Sequence, residues 1–389
     1  MDGAGGIAVS MMEGLTGFPA EAWDACAASI GGPHHPFVSY AFLQALEESG
    51  CVCARTGWTP RHLIARDAAG GVVGVMPMYE KTHSYGEYVF DHAWADALHR
   101  AGGRYYPKLQ TAVPFTPVPG PRLLAASVEA RTALASGAVG AAQTLGASSW
   151  HATFTTDHDQ ALLADEGFLA RTGVQFHWAN QGFGAFDDFL GVLSSGKRKT
   201  IRRERRDAAA GRTIRTLRGK EITEADWDFF FACYEDTGAR KWGSPYLNRT
   251  FFSLIGARMG DALILLIAEE GGRPIASALN VLGGDCLYGR YWGRVADAPF
   301  LHFELCYYQA IELAIGLGLA RVEAGAQGDH KLARGYSPVP TRSAHWISHP
   351  GLHEAVARYL DAERPAVADE IEQLDAYTPF KRGDGQETS

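Results

Sequence analysis

The densest group of side chains that could do chemistry lies in the segment GAQGDHK, which begins at Gly325. It follows a short apolar run that predicts a strand, and α/β sheets place ligand loops at strand ends. Asp329 or His330 could act as a base, or as the group that orients one. Lys331 and Arg334 could bind a phosphate or a carboxylate. We expect no metal site, because His330 has no partner His or Cys at ligand spacing.

Gln327 in the same segment and two residues of a predicted strand are further candidates for substrate binding. Alternation along that strand places Arg290 and Trp292 on one face and Tyr291 on the other. Packing in the core would account for the aromatic rings without any further role. We keep Gln327, Arg290 and Tyr291 as candidate contacts to substrate.

The segment KRKTIRRERR, residues 197–206, departs most strongly from the average charge of the chain. Seven basic residues and one acid give it a local charge of +6, whereas the whole chain carries −8. One interpretation is a solvated helix that links two domains. The other is a surface that binds the phosphates of RNA, a nucleotide or a lipid pyrophosphate. That interpretation assigns the phosphate contacts to Lys197, Arg198, Arg202 and Arg203.

Aromatic and acidic residues are mixed in the segment HSYGEYVFDHAWADA, which begins at His83. An acidic pocket with aromatic walls suits a cationic amine. A buried polar network that joins two domains is the alternative interpretation. The candidate contacts to an amine are Tyr85, Glu87, Asp91 and Trp94.

Length and composition indicate two folded, soluble domains. The chain has 389 residues, of which 46% are hydrophobic and 21% charged, and this composition excludes a disordered protein. The negative net charge argues against nucleic-acid binding over the whole surface. The six cysteines lack the spacing of zinc or redox sites. No apolar run approaches the roughly 20 residues needed to span a bilayer, and the amino-terminal residues do not resemble a signal peptide. We therefore expect a cytoplasmic protein.

Strand and helix patterns alternate along the chain, as they do in α/β proteins. The clearest elements of the first half are helices at 20–29 and 39–49, a hairpin from His62–Asp67 to Val72–Tyr79, and a strand at Ser149–Thr155. The second half predicts strands at Leu263–Glu270, Ile275–Val281 and Cys286–Trp292, a helix at Phe303–Gly316 and a strand at Ala320–Glu323. The order in the second half is therefore β-β-β-α-β.

Two hairpin sequences match at a nearly constant offset. The run that begins at Leu63 aligns with the run that begins at Leu266, and Val72 aligns with Pro274, which gives offsets of 266 − 63 = 203 and 274 − 72 = 202 residues. An internal duplication would explain the match. Chance similarity is the alternative, because apolar strands that end in glycine turns are common.

The β-β-β-α-β order resembles the acyltransferase fold of the Gcn5-related N-acetyltransferase (GNAT) superfamily. Eight motifs in sequence order are similar to a bacterial family of predicted N-acyltransferases grouped with the FemABX peptidyltransferases. They are HSYGEYVFDHAWADA, RYYPKLQ, PFTPVPGPRLL, FHWAN, KRKTIRRER, LYGRYWGR, LHFELCYYQAI and GAQGDHKLARGY. Asp329 departs from the pattern, since a glutamate is more usual at this position.

The resemblance implies an α/β (α+β) fold of two tandem GNAT-like domains, with mixed sheets flanked by helices. We place the first domain at residues 1–190 and the second at 191–389, beginning with the basic helix at 197–206. The activity implied is transfer of an acyl or aminoacyl group to an amine, with formation of an amide. FemABX relatives take the group from aminoacyl-tRNA and place it on a peptidoglycan precursor, so the basic helix would bind tRNA. The acyl donor would be a co-substrate, and no tightly bound cofactor is expected.

Two alternatives to this activity stay open. The first is a transferase that uses acyl-coenzyme A or an acyl carrier protein and modifies a small metabolite or a lipid amine. The sequence lacks a clean copy of the Q/R-x-x-G-x-G/A turn that binds the coenzyme pyrophosphate, because the segment from Gly293 to Pro299 has one glycine and an aspartate. The second alternative is a non-catalytic protein that binds a cell-wall precursor.

Amide formation requires a base, a donor to the oxyanion and groups that hold both substrates. His302 and Glu304 begin the helix after the predicted central strand. Residues i and i+2 of a helix diverge by about 200°, so at most one of the two faces a cleft. We assign Glu304 as the general base, with Asp329 and His330 as further catalytic candidates and His302 as a substrate contact. A favourable interaction of Glu304 with the helix dipole is the alternative.

Overall fold

The computed structural model describes residues 6–241, 245–325 and 328–381 of a mixed α/β protein. The strands, in chain order, are β1 (Ala8–Met12), β2 (Trp58–Pro60), β3 (His62–Arg66), β4 (Val72–Met76), β5 (Tyr79–Lys81), β6 (Lys108–Thr111), β7 (Leu124–Ala125), β8 (Ser149–Thr155), β9 (Leu169–Ala179), β10 (Arg212–Arg218), β11 (Leu263–Glu270), β12 (Arg273–Leu282), β13 (Cys286–Arg294), β14 (Arg321–Glu323) and β15 (Ser337–Ile347).

The helices differ in length from three to 27 residues, and α10 and α11 are joined by the π-helical turn Glu304–Tyr308. They are α1 (Ala20–Ser29), α2 (Tyr40–Glu48), α3 (His92–Arg100), α4 (Val128–Leu145), α5 (Asp157–Asp165), α6 (Phe186–Val192), α7 (Ser195–Ala209), α8 (Glu224–Lys241), α9 (Arg249–Met259), α10 (Leu301–Phe303), α11 (Gln309–Gly316) and α12 (Pro350–Ala376). Within the described ranges, none of these helices is long and apolar enough to cross a membrane.

Contacts between residues divide the chain into two compact units, each built from several segments. The first unit contains Met1–Gly173, Tyr246–Arg258 and Pro340–Ala368. The second contains Val174–Pro245, Met259–Val339 and Asp369–Ser389. The predicted boundary between two domains after residue 190 remains a prediction.

The first unit has two groups of strands. In one group the β3–β4 hairpin is central, with β1 beside β3 and β7 beside β4, all antiparallel. The other group has the order β15-β8-β6-β5-β2, in which only the β6–β8 pairing is parallel. Helix α4 begins at the cap residue Ser127, whose hydroxyl accepts from the Ala130 amide. Its buried residues Leu134 and Ala138 share a hydrophobic core with Leu63 of β3.

The second unit contains strands in the order β10-β11-β12-β13-β14-β9. Strands β10 to β13 form an antiparallel meander, and β13 then pairs in parallel with the short strand β14. The α10–α11 segment connects these two parallel strands. Buried residues of α7, α11 and the sheet form a shared core that includes Ile201, Ile311 and Val322. This unit therefore has the β-β-β-α-β order expected from the sequence.

Both matched hairpins form, and each contains the same irregularity. The β3–β4 register shifts between Ala65 and Arg66, and the β11–β12 register shifts between Ala268 and Glu269. These positions correspond at the offset of 203 residues found in the sequence. β-bulges are usually retained among related strand pairs. A bulge at the same position in both hairpins therefore supports an internal duplication.

Candidate active site

In the second unit, the parallel strands β13 and β14 separate and leave a cleft. Their pairing ends with Tyr288 opposite Glu323, whereas β13 continues for six more residues to Arg294. The antiparallel register to β12 also shifts here, because Asn280 lies opposite Gly289 and Leu279 lies opposite Tyr291. Arg290 is the extra residue of this bulge. Bulges often lie beside active sites, where they redirect a strand and its side chains.

The second wall of the cleft is the helical segment that starts at Leu301. Phe300 has a left-handed backbone, with a φ of 59°, and turns the chain from the strand into α10. The π-helical turn that follows adds a residue to one turn of the helix. As a result Cys306 and Tyr307 face the cleft, while Glu304 and Tyr308 reach residues of α7.

A cavity of about 100 Å³ occupies this cleft. Three residues predicted from the sequence line it: Arg290, Tyr291 and His302. Two further lining residues, Asn280 and Tyr307, were not predicted from the sequence. Tyr307 lies in the motif LHFELCYYQAI, but a five-residue spacing from His302 places two residues on one helix face only when a π turn lies between them.

Tyr307 and His330 form a hydrogen-bonded pair at the cavity. Tyr307 Oη lies 2.7 Å from His330 Nε2. The ring of His302 lies 5.4 Å from that of Tyr307 and 5.9 Å from that of His330. Burial raises the pKa of Tyr307 above its ordinary value, so the hydroxyl stays protonated at neutral pH. His330 is exposed, so the pair extends from the cavity wall to the surface.

Lys331 is completely buried next to this pair. Its Nζ donates to the carbonyl of Gly325 at 2.5 Å. Burial lowers the pKa of Lys331 to about 7, and the positive charge of Arg290 acts in the same direction. An ammonium group with this pKa changes charge near neutral pH, which suits either anion binding or proton transfer.

Glu304, the predicted general base, does not line the cavity. Its carboxylate accepts from Arg205 Nη2 at 3.0 Å and from Gln309 Nε2 at 2.8 Å. His302 of the same helix start lines the cavity instead, in agreement with the divergence of positions i and i+2. The geometry favours a structural role for Glu304.

Arg334, predicted to bind an anion, already contacts an internal carboxylate. Its Nη2 lies 2.9 Å from Glu204 Oε1, and its guanidinium lies 3.4 Å from the centre of the Phe303 ring. Its Nη1 donates to the carbonyl of His330 at 2.8 Å. Arg334 therefore holds the backbone of the His330 loop. Gln327 and the side chain of Asp329 lie outside the described residues.

Helix α7 carries the basic segment and starts two residues earlier than predicted, at Ser195. Ile201, Glu204 and Ala208 form its buried stripe. Arg202 pairs with Asp187 at 3.0 Å on the surface. Within the described part of the chain, the side chains of the other three predicted phosphate contacts form no ion pair or hydrogen bond; these are Lys197, Arg198 and Arg203.

The acidic and aromatic segment of the first unit forms a buried charge network rather than an open anionic pocket. Lys108 Nζ donates to Glu87 Oε2 at 2.7 Å and also to Asp91. Lys81 Nζ lies 3.6 Å from Glu87 Oε1. Two lysines thus balance two carboxylates, and the geometry favours the interpretation of a buried polar network. Among the described residues, no group of three or more His, Cys, Asp or Glu side chains could hold a metal ion.

The aromatic members of that segment differ in exposure. Tyr85 is 64% exposed, whereas Trp94 is buried with its ring edge-on to His345 at 4.9 Å. Burial lowers the pKa of Lys81 to about 7. Burial raises the pKa of Asp91, but the charge of Lys108 lowers it, and the net shift is downward. Of the four candidate contacts to an amine, Tyr85 is exposed, whereas Glu87, Asp91 and Trp94 are buried.

Comparisons with solved structures show where this fold occurs. The chain is similar to a structure described as FemX, with 12% identity, coverage of 90% of this chain and 100% of that one, and a TM-score of 0.55. It is also similar to the C-terminal domain of a putative lysylphosphatidylglycerol synthetase from Agrobacterium fabrum, with 11% identity, coverage of 88% and 96%, and a TM-score of 0.53. A tandem GNAT protein from the clavulanic acid biosynthesis pathway matches with 11% identity, coverage of 88% and 99%, and a TM-score of 0.47.

The chain therefore shares the mixed α/β fold of the FemX structure, in agreement with the α/β class expected from the sequence. No curated protein matches the chain in sequence. The model of the FemAB-like family, described as peptidoglycan biosynthesis or recognition, matches residues 14–382. Because this match covers nearly the whole sequence, the chain belongs to the FemAB-like family.

Proposed function

We propose that the protein is an N-acyltransferase that transfers an acyl or aminoacyl group to an amine by direct attack. The observation that carries this proposal is the Tyr307–His330 pair, whose two polar atoms lie 2.7 Å apart at the cavity beside the β13 bulge. Acyl transfer to an amine moves one proton from the attacking nitrogen to the leaving atom. A hydroxyl that stays protonated, paired with an imidazole, can carry out both proton transfers.

The proposed reaction leaves the pair unchanged. The neutral amine attacks the carbonyl carbon of the donor, and a C–N bond forms. His330 accepts a proton from the nitrogen, and Tyr307 gives its proton to the leaving oxygen or sulfur as the old bond to carbon breaks. His330 then returns its proton to Tyr307 across their hydrogen bond.

Aminoacyl-tRNA is the proposed donor. The surface formed by Lys197, Arg198 and Arg203 supports this choice, because unpaired basic side chains on a helix can bind successive phosphates. Arg294 and Asp297 form an ion pair of 2.5 Å before α10. The segment from Gly293 to Pro299 lacks the Q/R-x-x-G-x-G/A turn that binds the coenzyme pyrophosphate, which argues against coenzyme A as the donor. Membership of a family associated with peptidoglycan biosynthesis supports a cell-wall precursor as the source of the amine.

The donor is tested by measuring product with mass spectrometry. The purified chain is incubated with an amine panel and with either aminoacyl-tRNA or acetyl-coenzyme A. We expect product only with aminoacyl-tRNA. Product only with acetyl-coenzyme A would show that acetyl-coenzyme A, not aminoacyl-tRNA, is the donor. Tight binding of a cell-wall precursor without product from any donor would identify a binding protein instead.

The surface on α7 is tested by tRNA binding over a salt series. Replacement of Lys197, Arg198 and Arg203 by Ala should reduce the slope of log K against log salt by about 0.7 for each lost contact to single-stranded RNA. The matched control is Lys220→Ala with Arg273→Ala, which removes exposed charge elsewhere in the second unit. An equal slope change in both variants would exclude a specific role for α7.

A further inference from the structure

Asn280 of β12 presents a buried amide to the active-site cavity. The residue is 1% exposed and lines the cavity. Its Nδ2 makes no hydrogen bond to any described residue. Buried polar groups are nearly always hydrogen-bonded, since an unpaired one costs free energy. A donor of this kind inside a cavity indicates that the missing partner belongs to a ligand.

The neighbours of Asn280 leave room for a small group. Gly289 lies directly across the β12–β13 pair and has no side chain to fill the space where β13 and β14 separate. On the same face of the two strands, Ala278 lies opposite Trp292. The cavity therefore combines the Asn280 amide and small residues with the polar side chains of Arg290, His302 and Tyr307.

The volume of the cavity limits the size of the group that can bind in it. A cavity of about 150 Å³ is large enough for benzene, which has six heavy atoms. By that scale a cavity of about 100 Å³ admits a group of about four heavy atoms. Acetyl, propionyl and glycyl groups are of this size, whereas leucyl, phenylalanyl and long acyl chains are much larger.

We propose that this cavity binds the transferred acyl group, that Asn280 Nδ2 donates to its carbonyl oxygen, and that only groups of about four heavy atoms are accepted. The inference rests on the proposed transferase function. When the amine attacks, the carbonyl oxygen gains negative charge and the hydrogen bond from Asn280 becomes stronger. The charge returns to the carbonyl when the bond to the leaving atom breaks, so Asn280 loses no proton.

The first test is Asn280→Leu, which removes the amide and keeps a similar side-chain shape. We expect kcat to fall by about 10²–10³-fold, the usual effect of removing one donor to an oxyanion. We expect no decrease in melting temperature, because an apolar group replaces an unpaired donor. Wild-type turnover in this variant would overturn the assignment of Asn280. A lower melting temperature together with unchanged turnover would show a purely structural role.

The second test is Gly289→Ala, which narrows the cavity. An added Cβ would lie 3.5 Å from Asn280 Oδ1 and 3.7 Å from Ala324 Cα, which are ordinary contacts. We expect the preference for glycyl over alanyl donors, measured as a ratio of kcat/KM, to rise by about 10-fold for this one-methyl difference. Gly191→Ala is the control, because a Cβ there has open space. Equal transfer of glycyl and leucyl groups by the wild-type protein would overturn the size limit.

A binding experiment separates this inference from the proposed function. If the wild-type chain transfers no group from any donor, the proposed function fails. The side-chain ¹⁵N signal of Asn280 is then followed during titration with acetamide, propionamide and isovaleramide. A shift with the two smaller amides alone supports the cavity assignment, and the absence of a shift with all three overturns it.

Discussion

Glu204 and Arg334 form a buried ion pair that connects the basic helix to the His330 loop. Arg334 Nη2 lies 2.9 Å from Oε1 and 3.0 Å from Oε2 of Glu204, and the Tyr308 hydroxyl donates to the same carboxylate. Because Arg334 also donates to the carbonyl of His330, the pair fixes the loop that carries the imidazole. The one acid of the basic segment is thus part of the support of the active site.

Breaking this pair should destabilise the protein strongly. Glu204→Gln leaves the buried guanidinium of Arg334 without a counter-charge, and such a change costs about 3–5 kcal/mol of unfolding free energy. Urea unfolding measures the effect. The double variant Glu204→Leu with Arg334→Met removes both charges, and it should recover most of the loss. A single variant as stable as the wild-type protein would contradict the buried geometry.

If the Tyr307–His330 pair transfers protons during the reaction, removal of either side chain should slow turnover. Tyr307→Phe and His330→Ala should each lower kcat by about 10²–10⁴-fold, because each removes a group that transfers a proton. Tyr336→Phe is the matched control. Tyr336 is fully buried with its ring 5.5 Å from that of Tyr307, and its hydroxyl has no partner in the described chain. Equal losses in all three variants would show that packing, not proton transfer, is affected.

Local sequence signals were sufficient for most of the fold. The strands Leu263–Glu270 and Ser149–Thr155 have the same bounds in the sequence-based prediction and in the structure. Each is a run of strand-forming residues bounded by turn residues, so its neighbours in sequence define it. Helix α2 also follows a local signal, because Ser39 directly before it is a favoured cap residue and its Oγ accepts from the Phe42 amide at 3.3 Å.

The site was less predictable because its contacts are distant in sequence. Tyr307 and His330 are 23 residues apart, and their contact depends on a π-helical turn that a 3.6-residue period does not indicate. The sequence around Glu87 and Asp91 is compatible with an open acidic pocket, but in the structure both carboxylates accept from Lys108. A charged side chain in a sequence does not show whether its partner is solvent, a ligand or another residue.

The buried network of the first unit gives a further stability prediction. Asp91→Asn removes one carboxylate that accepts from Lys108, so the buried ammonium loses part of its charge compensation. We expect unfolding free energy to fall by about 3–5 kcal/mol, as for other broken buried pairs. Asp96→Asn, in helix α3 directly after Asp91, is the control, because Asp96 is exposed. Chemical denaturation of both variants tests the difference, and equal stability would be inconsistent with a buried charge network.

The lowered pKa of Lys331 predicts a pH-dependent stability with a defined sign. In the folded state the ammonium loses its proton near pH 7, whereas in the unfolded chain it keeps its proton to about pH 10.4. Between pH 7 and 8.5 the unfolded state therefore binds more protons, and unfolding free energy rises with pH, by at most about 1.4 kcal/mol per pH unit for this group.

Lys331→Met isolates that contribution. Urea unfolding of the wild-type protein and the variant at pH 7.0, 7.75 and 8.5 gives the two slopes, and the variant should have the smaller one. Lys81 has a similarly lowered pKa, so a positive slope should remain in Lys331→Met and decrease again when Lys81→Met is added. Exposed Lys220→Met should leave the slope unchanged. If Lys331→Met also leaves it unchanged, Lys331 keeps an ordinary pKa in the folded protein, and its complete burial must be revised.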